Sequence, residues 1–329
     1  MKNRMLLAST CMLLACSPVL AQKPAAKKAQ VFSLAYRPDG KLLAVGGFRE
    51  VRLSDPASGA VTGTLDGHAE VVRAIAFSAD GKRLAAAGGV PGKKGEVKIW
   101  DVDAKSVIAT VQGHGDCIYA VAFSPDGKHV ATSSYDKFVK LWDASTGKEV
   151  RTLKDHIDAV YALAFTPDGK HLLSGAADRT VKIWNPETGE RLYTLSEPVD
   201  GINTIAIDPT GRMVAAAGLD KTIRIWSISE KSGELLNTLI AHEDAILQLA
   251  WSPDGKTLVS AAADRTIKIF DAKDLTERKA LANQPDWVLA LRFAPDGKRF
   301  AAGRYDGSLT IYDMAQVMSA PAVGKIAAR

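Results

Sequence analysis

The sequence predicts an all-β fold, a seven-bladed β-propeller of four-stranded blades. Three observations predict it: a Pro-Asp-Gly type of turn recurs seven times, the recurrences are almost evenly spaced, and each interval holds short apolar runs of period two. The turns are Pro38-Asp39-Gly40, Ala79-Asp80-Gly81, Pro125-Asp126-Gly127, Pro167-Asp168-Gly169, Pro209-Thr210-Gly211, Pro253-Asp254-Gly255 and Pro295-Asp296-Gly297. Their middle positions, 39, 80, 126, 168, 210, 254 and 296, are 41, 46, 42, 42, 44 and 42 residues apart. Each repeat of such a length is one supersecondary unit that stacks on its neighbours to bury an apolar face.

The repeat around Asp126 shows the elements in order. Ile118 to Phe123 alternates apolar residues, the Pro-Asp-Gly turn follows with Lys128, and His129 to Ser133 forms the next run. A tight turn at Asp136 leads to Phe138 to Asp143, and Glu149 to Leu153 carries the chain to the next repeat. Period-two runs bounded by turn residues read as strands. No segment has helical periodicity. The 46-residue step is local, because Gly89 to Gly95 enlarges one turn of the second repeat.

Composition narrows the function. The 329 residues are 47% hydrophobic and 24% charged, with a formal net charge of +5. The basic residues are spread along the chain, whereas a nucleic-acid footprint needs a basic stripe. Lys2 and Arg4 precede an apolar stretch from Met5 to Ala15, a signal-peptide pattern too short for a permanent span. Two cleavage readings stand side by side: after Ala21 (residues 1–21 as signal peptide), or a lipoprotein signal 1–15 leaving Cys16 lipid-anchored. Residues 22–30 are then a flexible N-terminal segment, 31–323 the propeller and 324–329 a tail. The expected location is periplasmic or secreted, with an outer-membrane lipoprotein as alternative. Cys117 is the one certain cysteine of a cleaved chain, so no internal disulfide framework is expected.

Three segments carry a family resemblance. Val97-Lys98-Ile99-Trp100-Asp101, Val139-Lys140-Leu141-Trp142-Asp143 and Val181-Lys182-Ile183-Trp184-Asn185 resemble the Trp-Asp endings of WD40 repeats. Gly67-His68 and Gly113-His114 resemble that family's Gly-His pairs, and the resemblance runs from Val31 to about Val323. It implies a hydrogen-bonded chain within a blade, from Trp through a hydroxyl and His to Asp. The matching residues are Trp142, Thr132, His114 and Asp136; Trp184, Ser174, His156 and Asp178; and, with Phe270 for Trp, Ser260, His242 and Asp264. Repeats five and seven lack the His and also the hydroxyl, having Ala216 and Ala302. Repeat two keeps His68 and Trp100 but has no Asp at its enlarged turn. Groups that come and go together behave as a mutually satisfied network. Their His, Ser and Asp are thus expected to be structural rather than a hydrolytic triad, which is defined by geometry and roles. The histidines fall at equivalent places in different repeats and lack ligand spacing, so no metal and no cofactor is expected.

WD40 proteins commonly grip peptides on the face that carries the His loops and Asp turns. The first-strand ring there reads Phe32, Arg73, Tyr119, Tyr161, Asn203, Leu247 and Leu289. Trp287, Cys117 and Val71 lie two residues earlier, and Tyr135, Leu219 and Tyr305 precede turn positions. Aromatics and Arg dominate binding energy at interfaces. An outer ring is acidic: Glu70, Asp116, Asp158, Asp200, Asp244 and Asp286, with Ala29 in the first repeat. Two plainer readings stay open: the aromatics plug the channel as core, or the acids cap their own loops. At the opposite end Lys41, Lys82, Lys128, Lys170, Arg212, Lys256 and Lys298 follow the turns and read as a solvated face.

An N-terminal strand near Ser17 to Pro24 would complete the last blade in many WD40 proteins, but cleavage after Ala21 would destroy it. The last blade is therefore expected to use its own tail, near Gln316 to Val323, as an edge where Pro321 is tolerated. The functional expectation is a non-catalytic scaffold of the cell envelope, a monomeric propeller within a larger complex, binding a protein or peptide. Rival readings are a lactonase-like or quinoprotein-like propeller enzyme with an axial pocket, and a carbohydrate or cell-wall binding module.

Overall fold

The computed structural model describes residues 30–320. Both cleavage sites, the Ser17 to Pro24 segment and the tail from 321 lie outside the described residues. Six antiparallel sheets form: one of seven strands, four of four and one of three. The seven-stranded sheet is two repeats welded by one long strand, Val61–Phe77. Its first half pairs with the third strand of repeat one (Val51 opposite Leu65) and its second half with repeat two (Ile75 opposite Ala86). Divided there, the chain gives seven units in which consecutive strands pair in order, a propeller-like arrangement.

The sequence explains why these strands are covered on both faces. The second strands are rich in small residues, as in His129–Ser134, where Val130, Ala131, Thr132, Ser133 and Ser134 are all buried. Strands packed between two neighbouring sheets lose the polar alternation of a one-sided sheet. The core accordingly lies between units: Ala85, Val97 and Ile99 of repeat two pack with Ile118, Phe123, Val130 and Trp142 of repeat three. The first and last repeats share a core in the same way, with Val31, Leu34, Leu43 and Val45 against Ala290 and Ala301. There the Val31 amide donates to the Arg304 carbonyl at 3.0 Å.

The recurrent turns owe their geometry to glycine. All seven turn glycines, from Gly40 to Gly297, have φ between 68° and 73°, a left-handed conformation that is strained for other residues. In the repeat-three turn Asp126 Oδ1 accepts the Lys128 amide at 3.0 Å and the Ser124 hydroxyl at 2.6 Å. In Pro209-Thr210-Gly211, which lacks the middle Asp, Asp208 takes over and accepts from the Thr210 amide and hydroxyl and from the Arg212 and Met213 amides.

Two expectations need correction. The segment Gly89 to Gly95 is not an enlarged loop: Arg83–Val90 and Lys94–Asp101 each run eight residues, so the insertion lengthens a hairpin closed by a short turn. The expected edge strand from Gln316 is a short helix, Met314–Ser319, among the described residues. Asp313 caps it by accepting the Gln316 amide at 3.0 Å, and Val317 buries against Phe300 and the last sheet. Its Met, Ala and Gln are good helix formers, and one buried residue, Val317, anchors it. No described helix is long and apolar enough to cross a membrane.

Candidate functional site

The His loops return to the turns that follow the second strands. In repeat three His114 Nδ1 lies 2.8 Å from Asp136 Oδ2 and Nε2 lies 2.7 Å from Thr132 Oγ1. Trp142 Nε1 donates to the same Thr132 oxygen at 2.8 Å. An ionised Asp only accepts, so Nδ1 of the neutral ring donates to it, and Nε2 accepts the hydroxyl proton. In repeat four the corresponding distances are 2.7 Å to Asp178, 2.7 Å to Ser174 and 2.8 Å from Trp184. In repeat six His242 lies 3.0 Å from Asp264 and 2.6 Å from Ser260, while Phe270 fills the Trp position without a donor.

Burial works to raise Asp136 and Asp178, but the hydrogen bonds from His114 and from His156 outweigh it. Both carboxyls sit below the usual range, Asp178 at about 2. Burial pushes His242 down, toward its neutral form, against the pull of Asp264. The histidine, hydroxyl and carboxylate groups of these three repeats are all satisfied within their own unit.

The other repeats hold substitutes that sequence spacing did not reveal. In repeat two Glu96 supplies the missing carboxylate, with Oε1 3.6 Å from His68 Nδ1. That is an ion-pair distance, too long for a good hydrogen bond. His68 still ranks first among the causes holding Glu96 below the usual range, against burial and with help from the Ala69 amide. In repeat five Arg224 pairs with Asp220 at 2.5 Å, and Trp226 Nε1 donates to Glu197 at 3.1 Å. In repeat seven Arg304, 1% exposed, donates to Gln284 at 2.5 Å, Thr310 at 2.8 Å and the Tyr312 hydroxyl at 2.7 Å. An Arg near an absent His, as in repeats five and seven, or a Glu where the Asp is absent, as in repeat two, was the available signal.

The first-strand ring is half-buried throughout: Phe32, Arg73, Tyr119, Tyr161, Asn203, Leu247 and Leu289. All but Leu247 line a single cavity of about 90 Å³ walled by the first strands of the seven repeats. Tyr119 meets Tyr161 edge-on at 5.0 Å, and the Arg73 guanidinium lies over Tyr119 at 4.9 Å and Phe32 at 5.8 Å. Burial pushes Tyr161 up to about 12 and raises Tyr119 as well. These tyrosines are thus part of the wall as well as of the mouth. Cys117 is buried, and burial raises its thiol, the opposite of what reactivity needs.

Tyr135, Leu219, Trp287 and Tyr305 stand further out, 50, 47, 48 and 41% exposed. A repeated backbone contact fixes them at one end: Tyr135 N donates to Cys117 O, Leu219 N to Gly201 O and Tyr305 N to Trp287 O. Trp287 packs on Tyr305 at 6.1 Å, and Tyr135 on Tyr119 at 6.4 Å. The acidic ring is largely engaged in its own loops. Asp116, Asp158, Asp200, Asp244 and Asp286 each accept the next residue's amide at 2.7 to 2.8 Å, and Glu70 pairs with Arg49 at 3.3 Å. Exposed basic residues also stand on this face, at left-handed turn positions: Arg49, Lys137, Arg179, Lys221 and Arg265.

A family model described as WD domain, G-beta repeat matches residues 59–101, 105–143, 147–185, 189–227, 233–271 and 277–313. Among curated proteins, the Intraflagellar transport protein 122 homolog of Danio rerio is 39% identical over 56 residues, 17% of this chain. The chain spans 5% of that relative's length. With six matched segments that together cover most of its length, and a repeat geometry that keeps the Trp-hydroxyl-His-Asp order in two of them, the chain belongs to the WD40 repeat family.

Proposed function

We propose that the chain is a closed seven-bladed propeller acting as a non-catalytic scaffold of the cell envelope, with a protein or peptide partner on the His-loop face. WD40 repeats imply a protein-interaction scaffold in general. The observation that carries the finer reading is the grouping of half-exposed Tyr135, Leu219, Trp287 and Tyr305 at one end of the cavity. They stand at the same end of repeats three, five and seven, and aromatic side chains are enriched among the residues that dominate binding at interfaces. The propeller-enzyme reading has less support, since the cavity walls carry no His, Cys, Asp or Glu among the lining residues. A general base or a metal ligand set needs such groups.

Capture from envelope extract tests the reading. The variant Tyr135→Ser, Trp287→Ser, Tyr305→Ser changes exposed positions, so it should stay folded and lose at least ten-fold in captured partner. Equal capture by both proteins contradicts the assignment of the face, and binding of purified polysaccharide without protein replaces it with the carbohydrate reading. Export is the accompanying proposal, resting on Lys2, Arg4 and the Met5 to Ala15 stretch. Intact mass of the isolated protein tests it: a chain starting at Gln22, or one starting at a lipidated Cys16, is the expected product, and an uncleaved chain contradicts it.

A further inference from the structure

The cavity walled by the first strands contains a charge that the fold does not answer. Near the Pro-Asp-Gly end of those strands one register position is alanine in six repeats, Ala35, Ala76, Ala122, Ala164, Ala206 and Ala250. In the seventh it is Arg292. The arginine is a lining residue of the cavity, which none of the six alanines is. Arg292 is exposed, and its guanidinium is open to the water of the cavity.

Its hydrogen bonds are few. Nη1 donates to the Leu291 carbonyl at 2.7 Å and, weakly, to Gln248 Oε1 at 3.4 Å. The Nε and Nη2 edge has no acceptor among the described residues, and no described carboxylate forms an ion pair with this residue. The wall adds a second guanidinium, Arg73, whose Nε is buried without a partner, and the amides of Asn203 and Gln248. No lining residue is acidic. A water-filled cavity that holds two guanidinium groups and no acidic lining residue has a positive potential that attracts an anion. The free edge of a guanidinium matches two oxygens of a carboxylate or phosphate in a bidentate pair.

We propose that the axial cavity is an oxyanion site, in which paired carboxylate or phosphate oxygens engage the Nε and Nη2 edge of Arg292, with Arg73 adding positive potential nearer the His-loop mouth. At about 90 Å³ the cavity has room for several waters or for one such group. The inference uses the strand interior only, so it stands or falls apart from the partner face.

The test is calorimetric titration of the purified chain with sodium acetate and, separately, inorganic phosphate, at constant ionic strength made up with chloride. Saturable one-to-one binding of either probe is expected, at least ten-fold weaker in Arg292→Ala. Alanine is what the chain places at this position in six repeats, so this variant should fold, with an unfolding midpoint in chloride equal to or above that of the parent. Arg292→Lys keeps the charge without the fork and should also bind less tightly. Binding of acetate alone assigns a carboxylate ligand, and of phosphate alone a phosphate ester. The proposal is overturned by the absence of saturable binding, by equal binding in parent and Arg292→Ala, or by a marked fall in the midpoint of Arg292→Ala, which would make the arginine a structural brace.

Discussion

Repeats two and three carry the same histidine and tryptophan and treat them differently. In repeat three Thr132 stands between His114 and Trp142 and satisfies both, and Asp136 takes the other ring nitrogen at 2.8 Å. In repeat two the position of Thr132 is Ala86, opposite Lys98 as Thr132 is opposite Lys140. His68 Nε2 and Trp100 Nε1 are then buried without a protein partner, although the rings sit 6.3 Å apart, close to the 6.0 Å of His114 and Trp142. One missing hydroxyl orphans two polar atoms. Repeat two compensates elsewhere: its extended hairpin brings Glu96 to His68, and the long strand Val61–Phe77 joins it to repeat one without a break.

The difference can be made and unmade. Thr132→Ala should give repeat three the defect of repeat two and cost about 3 kcal/mol, because each buried polar group left unpaired costs about 1–3 kcal/mol; urea unfolding measures it, and a loss below about 1 kcal/mol would mean that the network is ornamental. Acid should strip the same contacts. Asp178 titrates at about 2 against an ordinary 3.8. Its contribution, about 2 kcal/mol at 1.36 kcal/mol per unit, is present above the unfolded value and is lost as pH falls from about 4 toward 2. His242, held neutral by burial, adds a loss of the same sign that begins as pH falls through its ordinary 6.5. A midpoint that is flat from pH 6.5 to 3 contradicts both. Ala86→Ser should place an oxygen between His68 and Trp100 and stabilise by about 1 kcal/mol, the net value of a hydrogen bond in a protein. The smallest effect belongs to Lys137→Gly, where relief of a φ of 75° should stabilise by about 0.5 kcal/mol, reduced by glycine's chain entropy.

Much of the frame was legible because each repeat states it again. Seven turn glycines at near-even spacing require one backbone conformation, and the short apolar run Ile118 to Phe123, bounded by turn residues, reads as a strand. The network residues were legible through the WD40 resemblance, and His114, Thr132, Asp136 and Trp142 meet because consecutive strands pair. What escaped was whatever depends on a single repeat. Glu96 answers His68 from a lengthened hairpin, Arg304 builds its own cluster with Gln284 and Tyr312, and Arg292 breaks a run of alanines that only strand register aligns. The helix Met314–Ser319 is too short to show a period, and its place is set by Asp313 and Val317. The acidic ring shows the limit from the other side. Its recurrence was visible in the sequence, but whether Asp116 faces a partner or its neighbour's amide is decided over less than 3 Å.

The proposed function requires the two ends of the propeller-like fold to differ, with capture at the aromatic end and solvent at the lysine end. Hydrogen exchange of the protein alone and with its captured partner compares them in one measurement. The account predicts slowed exchange at amides around Tyr135, Leu219, Trp287 and Tyr305, with unchanged exchange at the turns before Lys82, Lys128 and Lys170. Protection confined to those lysine turns, with the aromatic end unaltered, would contradict it.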